Sequence, residues 1–128
     1  MCIKLRILLF AALLAMFPPA YSAQTTDSDW IALNTEAQSL YEAEQYKRAL
    51  PVALAALAAA EKANLPDSIE MASCLTTLAD VHFAMENYDT AEPLYRKALD
   101  ILEKTLGPDD VGVSKKLSNL GVIYYHKG

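Results

Sequence analysis

A chain of 128 residues has the length of a single domain, and this one is 53% apolar and 21% charged with a net charge of −5. Its 11 bases include Lys4 and Arg6 ahead of the first apolar run, so residues 24–128 set the other bases against all 16 acids and carry −7. That balance argues against a nucleic-acid face or an anionic-membrane binder, both of which need basic surface, and Cys2 and Cys74 alone exclude a disulfide framework or a cysteine-based zinc site.

Residues 1–23 have the layout of a secretory signal peptide: a short basic start, an unbroken apolar run over 7–17, Pro18-Pro19, then small residues. The run is shorter than the ~20 residues needed to span a bilayer, so no stable membrane anchor is expected after cleavage. Ala20 and Ser22 favour a cut after Ser22, and a cut after Ala23 is the alternative. The expected address is the periplasm or the exterior. Export would leave Cys74 as the only thiol, read as a buried inert side chain, with an intermolecular disulfide as the sharper alternative.

Beyond the leader the chain is expected to be all-α. Thr26 and Asp29 would cap a first helix, and a second, rich in alanine, would run over 47–63 and close at Asn64-Leu65-Pro66. Asp67 with Glu70 reads as a capping box opening a third helix, whose stripe is Cys74, Leu75, Leu78 and Val81. Glu86-Asn87 makes a turn, and a fourth helix over 89–105 tolerates Pro93 if it falls in the first turn. Gly107 and Pro108 end it, with a left-handed glycine cap expected, and Asp109-Asp110 caps a fifth helix over 110–126.

A shift of 42 residues lays 30–86 on 72–128, with identities at Leu33/Leu75, Ala37/Ala79, Tyr46/Tyr88, Ala49/Ala91, Pro51/Pro93, Ala56/Ala98, Leu57/Leu99, Pro66/Pro108 and Leu78/Leu120. Two copies and a half follow: about 28–66, about 67–108, and a half repeat over 109–128. Ala37, Ala79 and Gly121 share one repeat position and Ala49 and Ala91 another, where small side chains would let paired helices approach closely.

The pattern Leu75-x2-Leu78-Ala79-x2-His82, then Tyr88-x2-Ala91-x3-Tyr95-x2-Ala98-Leu99, resembles the tetratricopeptide repeat. Residues 88–99 with Leu106-Gly107-Pro108-Asp109-Asp110 are similar to its 42-residue kinesin light chain type. His82 replaces the usual aromatic, Glu36 an apolar residue, and Glu86 the turn glycine that Gly128 supplies in the third unit. The resemblance implies antiparallel helix pairs stacked as a right-handed superhelix, with the first helix of each pair lining a concave groove that holds peptide segments. Carried over, the lining would be Asn34, Gln38 and Tyr41, then Thr76, Asp80 and Phe83, then Lys115, Ser118, Val122 and Tyr125. Tyr41, Phe83 and Tyr125 form one column, either a hydrophobic anchor for a peptide or inter-repeat core. Lys115 matches one position of the carboxylate clamp found in some members, but Asn34 and Asn119 stand where its lysine and arginine would be, so a chaperone-tail clamp is not expected.

No metal spacing, nucleophile motif or phosphate loop is present, and neither a cofactor nor an enzymatic role is expected. His82 reads as a half-buried, satisfied histidine. The implied function is a non-catalytic, exported scaffold for a peptide or protein partner. Residues 117–125 are apolar on more than one side, so self-association through that open helix face competes with a partner supplying a helix. A third reading makes the chain the N-terminal docking or regulatory part of a longer exported protein. A leader followed by such repeats is similar to bacterial proteins ending in a hydrolase-like CHAT domain, and none of that domain's chemistry lies in these residues.

Overall fold

The computed structural model describes residues 29–63 and 65–128. The signal-peptide assignment, the Thr26 cap and the Asn64 helix stop lie outside the described residues. Five helices are present in the order α1 (Asp29–Glu42), α2 (Tyr46–Lys62), α3 (Ile69–Ala84), α4 (Tyr88–Leu106) and α5 (Val111–Lys127), with no strand among the described residues. They form antiparallel pairs, α1 with α2 and α3 with α4, and α5 lies against α4, as a tetratricopeptide-like solenoid requires.

The two within-pair turns are copies of each other. Gln45 N–H donates to Leu40 O and Asn87 N–H to His82 O, both at 2.8 Å, while Glu44 and Glu86 donate to Tyr41 O and Phe83 O. Both glutamates take left-handed backbone, φ 57° and 60°, at the position where glycine is the residue without a Cβ penalty. The turn therefore forms despite Glu86, held by paired hydrogen bonds to the orphan carbonyls of the preceding helix.

Three details differ from the sequence expectations. The cap of α3 is Ser68, not Asp67: its hydroxyl accepts from Met71 N–H at 3.1 Å and donates to Leu65 O, while Asp67 stays in the preceding turn. Because α2 and α4 begin at Tyr46 and Tyr88, Pro51 and Pro93 fall in the second turn, not the first. Each removes a hydrogen bond to the carbonyl four residues earlier, and both prolines lie exposed, where water can take that carbonyl. Gly107 has a positive φ of 89° but ψ 164°, an extended conformation rather than a left-handed helical cap. Asp110 caps α5 as expected, its carboxylate accepting from Gly112 N–H at 2.8 Å.

The core runs between pairs. Ala56 and Ala60 of α2 meet Met71, Ala72, Cys74 and Leu75 of α3 and Ala98 and Ile101 of α4, with Trp30 and Leu33 of α1 packed against them. Ala37, Ala53 and Leu78 close α1 and α2 against α3. Ala79, Ala91 and Tyr95 join Leu120 and Ile123 of α5. Alanines at Ala37, Ala49, Ala79 and Ala91 are wholly buried, as close helix pairing needs. Gly121 is not in that environment: a Cβ there would meet nothing within 4 Å, since among the described residues no helix packs on that side of α5.

Candidate functional site

The residues assigned to a groove lie on α1, α3 and α5, the first helices of successive units, and they divide by what they touch. Asn34 is 5% exposed and its Nδ2 donates to Ser73 Oγ across the α1–α3 junction at 3.0 Å. Its Oδ1 is buried without a partner. One turn on, Gln38 Nε2 donates to Thr77 Oγ1 at 3.3 Å, and Thr77 in turn donates to Ser73 O. These two side chains knit α1 to α3; Gln38 retains an exposed surface and Asn34 does not.

Tyr41 packs on Tyr46 of its own pair, ring centroids 5.6 Å apart, and Phe83 packs edge-on to Tyr88 at 5.6 Å and Tyr95 at 6.3 Å. Both are half-buried, whereas Tyr125 is 84% exposed. Each aromatic thus contacts rings near it in sequence or in its own helix pair. Thr76 is half-buried, and Lys115, Ser118 and Val122 are exposed along α5.

Asp80 is the electrostatic centre. Its Oδ1 accepts from the Tyr95 hydroxyl at 2.5 Å and its Oδ2 faces Lys116 Nζ at 3.5 Å, bonding α3 to α4 and α5 together. The Lys116 side chain is 7% exposed, and its ammonium sits 5.6 Å from the centre of the Tyr95 ring. Burial lowers the Lys116 pKa, Asp80 opposes that shift, and neighbouring Lys115 adds to it. Tyr95 is wholly buried; burial and then the Asp80 charge push its phenol far above the ordinary range, so it remains a neutral hydroxyl that also accepts from Asn119 Nδ2 at 3.1 Å. Burial and the same carboxylate raise Tyr41.

Sequence reasoning found Asp80 and missed Tyr95 and Lys116 as its partners, and Asn119 as the partner of Tyr95. Two signals were available in the repeat alignment: Tyr95 replaces Ala53, and Lys116 replaces the buried Cys74. A second set, also unforeseen, fastens α5 to α4 on the exposed side. Arg96 donates to the Tyr124 hydroxyl at 3.0 and 2.6 Å and pairs with Glu92, and Lys127 bridges Glu92 at 2.7 Å and Asp89 at 2.9 Å. Lys127 and Arg96 hold the Glu92 carboxyl below its usual value. His126 stacks on Tyr88, centroids 5.0 Å apart.

Cys74 is free and wholly buried, and burial pushes its thiol up to about 11, so almost none is thiolate at neutral pH. His82 is half-buried as expected but not satisfied: Nδ1 has no partner, and burial lowers its pKa. A cleft of about 540 Å³ lies between the α1–α2 turn and the end of α3, lined by Glu44, Gln45, Tyr46, Lys47, Arg48 and Met85; none of the expected groove residues lines it. Among the described residues no group of three or more His, Cys, Asp or Glu side chains could hold a metal, and no helix is long and apolar enough to cross a membrane.

A family model described as Tetratricopeptide repeat matches residues 30–104 and again 70–128. No curated protein matches the chain. The two overlapping matches cover every helix of the structure, and the paired turns and the alanine contacts between units recur as a repeat demands. The chain belongs to the tetratricopeptide repeat family.

Proposed function

We propose that this protein is an exported, non-catalytic scaffold of the 42-residue kinesin light chain-like repeat type, which holds a peptide or protein segment along α1, α3 and α5. The observation that carries the reading is the division of the first-helix residues. Asn34, Asp80 and Lys116 are engaged in holding helices together, while Gln38, Lys115, Ser118, Val122 and Tyr125 keep surface free for a ligand. An exposed tyrosine on the same helix as hydroxyl and ammonium donors, with the Gln38 amide on α1, suits recognition of an extended segment, with the ring as anchor and the polar groups fixing register. The leader-like residues 1–23 support the exported address.

The test is selection of peptides on the exported protein, followed by calorimetric titration of the selected sequence. Tyr125→Ala and Lys115→Ala remove exposed side chains, so their far-ultraviolet dichroism should be unchanged while affinity falls tenfold or more. A selected peptide that binds both variants as well as the parent places the ligand elsewhere. For the address, the protein should be recovered outside the cytoplasm with the mass expected for cleavage after Ser22 or Ala23. Recovery only in the cytoplasm at full mass overturns that part.

A further inference from the structure

The 42-residue offset that relates Ala37 to Ala79 also relates Gln38 to Asp80, Thr77 to Asn119 and Ala53 to Tyr95. At the first junction, between α1 and α3, the pair meets directly, Gln38 Nε2 to Thr77 Oγ1 at 3.3 Å. At the second, between α3 and α5, the Tyr95 hydroxyl stands between the equivalent side chains, donating to Asp80 at 2.5 Å and accepting from Asn119 at 3.1 Å. The backbones follow the same difference: α1 and α3 approach with Cα atoms within 8 Å, whereas no Cα of α3 comes that close to α5.

The side chains beneath explain why. Ala53 is wholly buried against Ala37 and Leu78, where a methyl leaves α1 and α3 in close contact. Tyr95, at the same repeat position, is wholly buried among Ala79 of α3 and Leu120 and Ile123 of α5. A packed interior does not compress, so a phenol ring where the neighbouring repeat has a methyl separates the flanking helices. The widened junction also accommodates Lys116 over the ring, at the repeat position that holds the smaller Cys74 in the first junction.

We propose that Tyr95 is the spacer that sets the distance between α3 and α5, opening the second junction relative to the first. It is thereby a positioning residue for any segment laid across the three first helices. The spacing follows from packing alone; only its consequence for a ligand rests on the binding reading above.

The experiment reads helix separation without any ligand. Nitroxide labels at Thr76→Cys on α3 and Ser118→Cys on α5 are introduced in the full chain carrying Cys2→Ser, with Cys74 protected by burial, and dipolar broadening is measured. Tyr95→Leu should shorten the separation by about one hydrogen-bond length, ~3 Å. Tyr95→Phe keeps the ring and should leave it unchanged. The reciprocal Ala53→Met should lengthen the α1–α3 distance, read from labels at Thr35→Cys and Thr76→Cys. A helical Tyr95→Leu protein with unaltered separation overturns the proposal, and so does a shortening in Tyr95→Phe. If Tyr95→Leu does not fold, Ala53→Met decides, and an unchanged α1–α3 distance counts against the spacer. Failure of the peptide titrations would leave these distances untouched, so the two readings fail separately.

Discussion

At the scale of single residues, Asp80 and Lys116 form a pair whose members are unequally buried, and removing either should have unequal effects. Lys116 is 7% exposed and has one carboxylate, 3.5 Å away, to offset the loss of hydration; Asp80 is 20% exposed and also holds the Tyr95 hydroxyl. Asp80→Asn leaves a buried ammonium facing a neutral amide and should destabilise by about 1–3 kcal/mol. Lys116→Met keeps the stem's packing on Tyr95, removes the buried charge and leaves Asp80 with its hydroxyl and water, so its cost should stay within about 1 kcal/mol or become a gain. Urea unfolding of both variants checks this, and equal losses would contradict it. The sign of the pH effect follows from the lowered lysine. Below its ordinary value of 10.5 and above the folded value, the unfolded chain binds the extra proton, so Lys116 makes stability rise with pH across that window. In Lys116→Met that rise should be absent.

At the scale of the helix, two repeat positions hold a small residue for opposite reasons. Ala91 is wholly buried where α4 meets its neighbours, and Ala91→Leu should overpack that contact and cost about 1–3 kcal/mol. Gly121 lies within α5 in open space, so Gly121→Ala should stabilise by about 0.5–1 kcal/mol through helix propensity alone. Thermal midpoints moving in opposite directions would confirm the distinction, and a loss in Gly121→Ala would mean that its environment is tighter than an open face. From sequence both positions read as close approaches, because the alignment reports position in the repeat and not what lies against it. The bounds of α2, α4 and α5 were legible to within a residue because apolar spacing, glycine and proline mark them locally. The Ser68 cap was not, since Asp67 and Ser68 are both good caps and the choice depends on where the turn delivers the chain. At the candidate site repeat position put the residues on α1, α3 and α5 but did not separate the buried Asn34 from the exposed Gln38, Lys115, Ser118, Val122 and Tyr125. The partners of Asp80 were not legible, because they come from two other helices and a bond between helices leaves no periodicity to read.

At the scale of the whole molecule, the helices are bound together in two different ways. Helices α1 to α4 share apolar clusters in which Ala56, Ala60, Met71, Leu75, Ala98 and Ile101 are buried, and the single tryptophan, Trp30, packs against that core. Helix α5 buries Val113, Leu120 and Ile123, stacks His126 on Tyr88, and adds a set of polar bonds: Asp80 to Lys116, Tyr95 to Asn119, Arg96 to Tyr124, and Glu92 and Asp89 to Lys127. In the Arg96 and Lys127 group the cations and Asp89 reach solvent and only Glu92 is mostly covered, so each of these bonds contributes little in physiological salt. In a repeat architecture, stability is nearly a sum of unit and nearest-neighbour terms, so a junction with less buried apolar surface opens first. Native-state hydrogen exchange should therefore show α5 amides exchanging through a local opening whose free energy is below that of α3, and rising salt should lower it further. Trp30 fluorescence should stay constant through that opening and change only in the global transition. Equal exchange free energies for α3 and α5, insensitive to salt, would mean that Tyr95, Leu120 and Ile123 couple the last helix to the core as tightly as the alanine contacts couple the first.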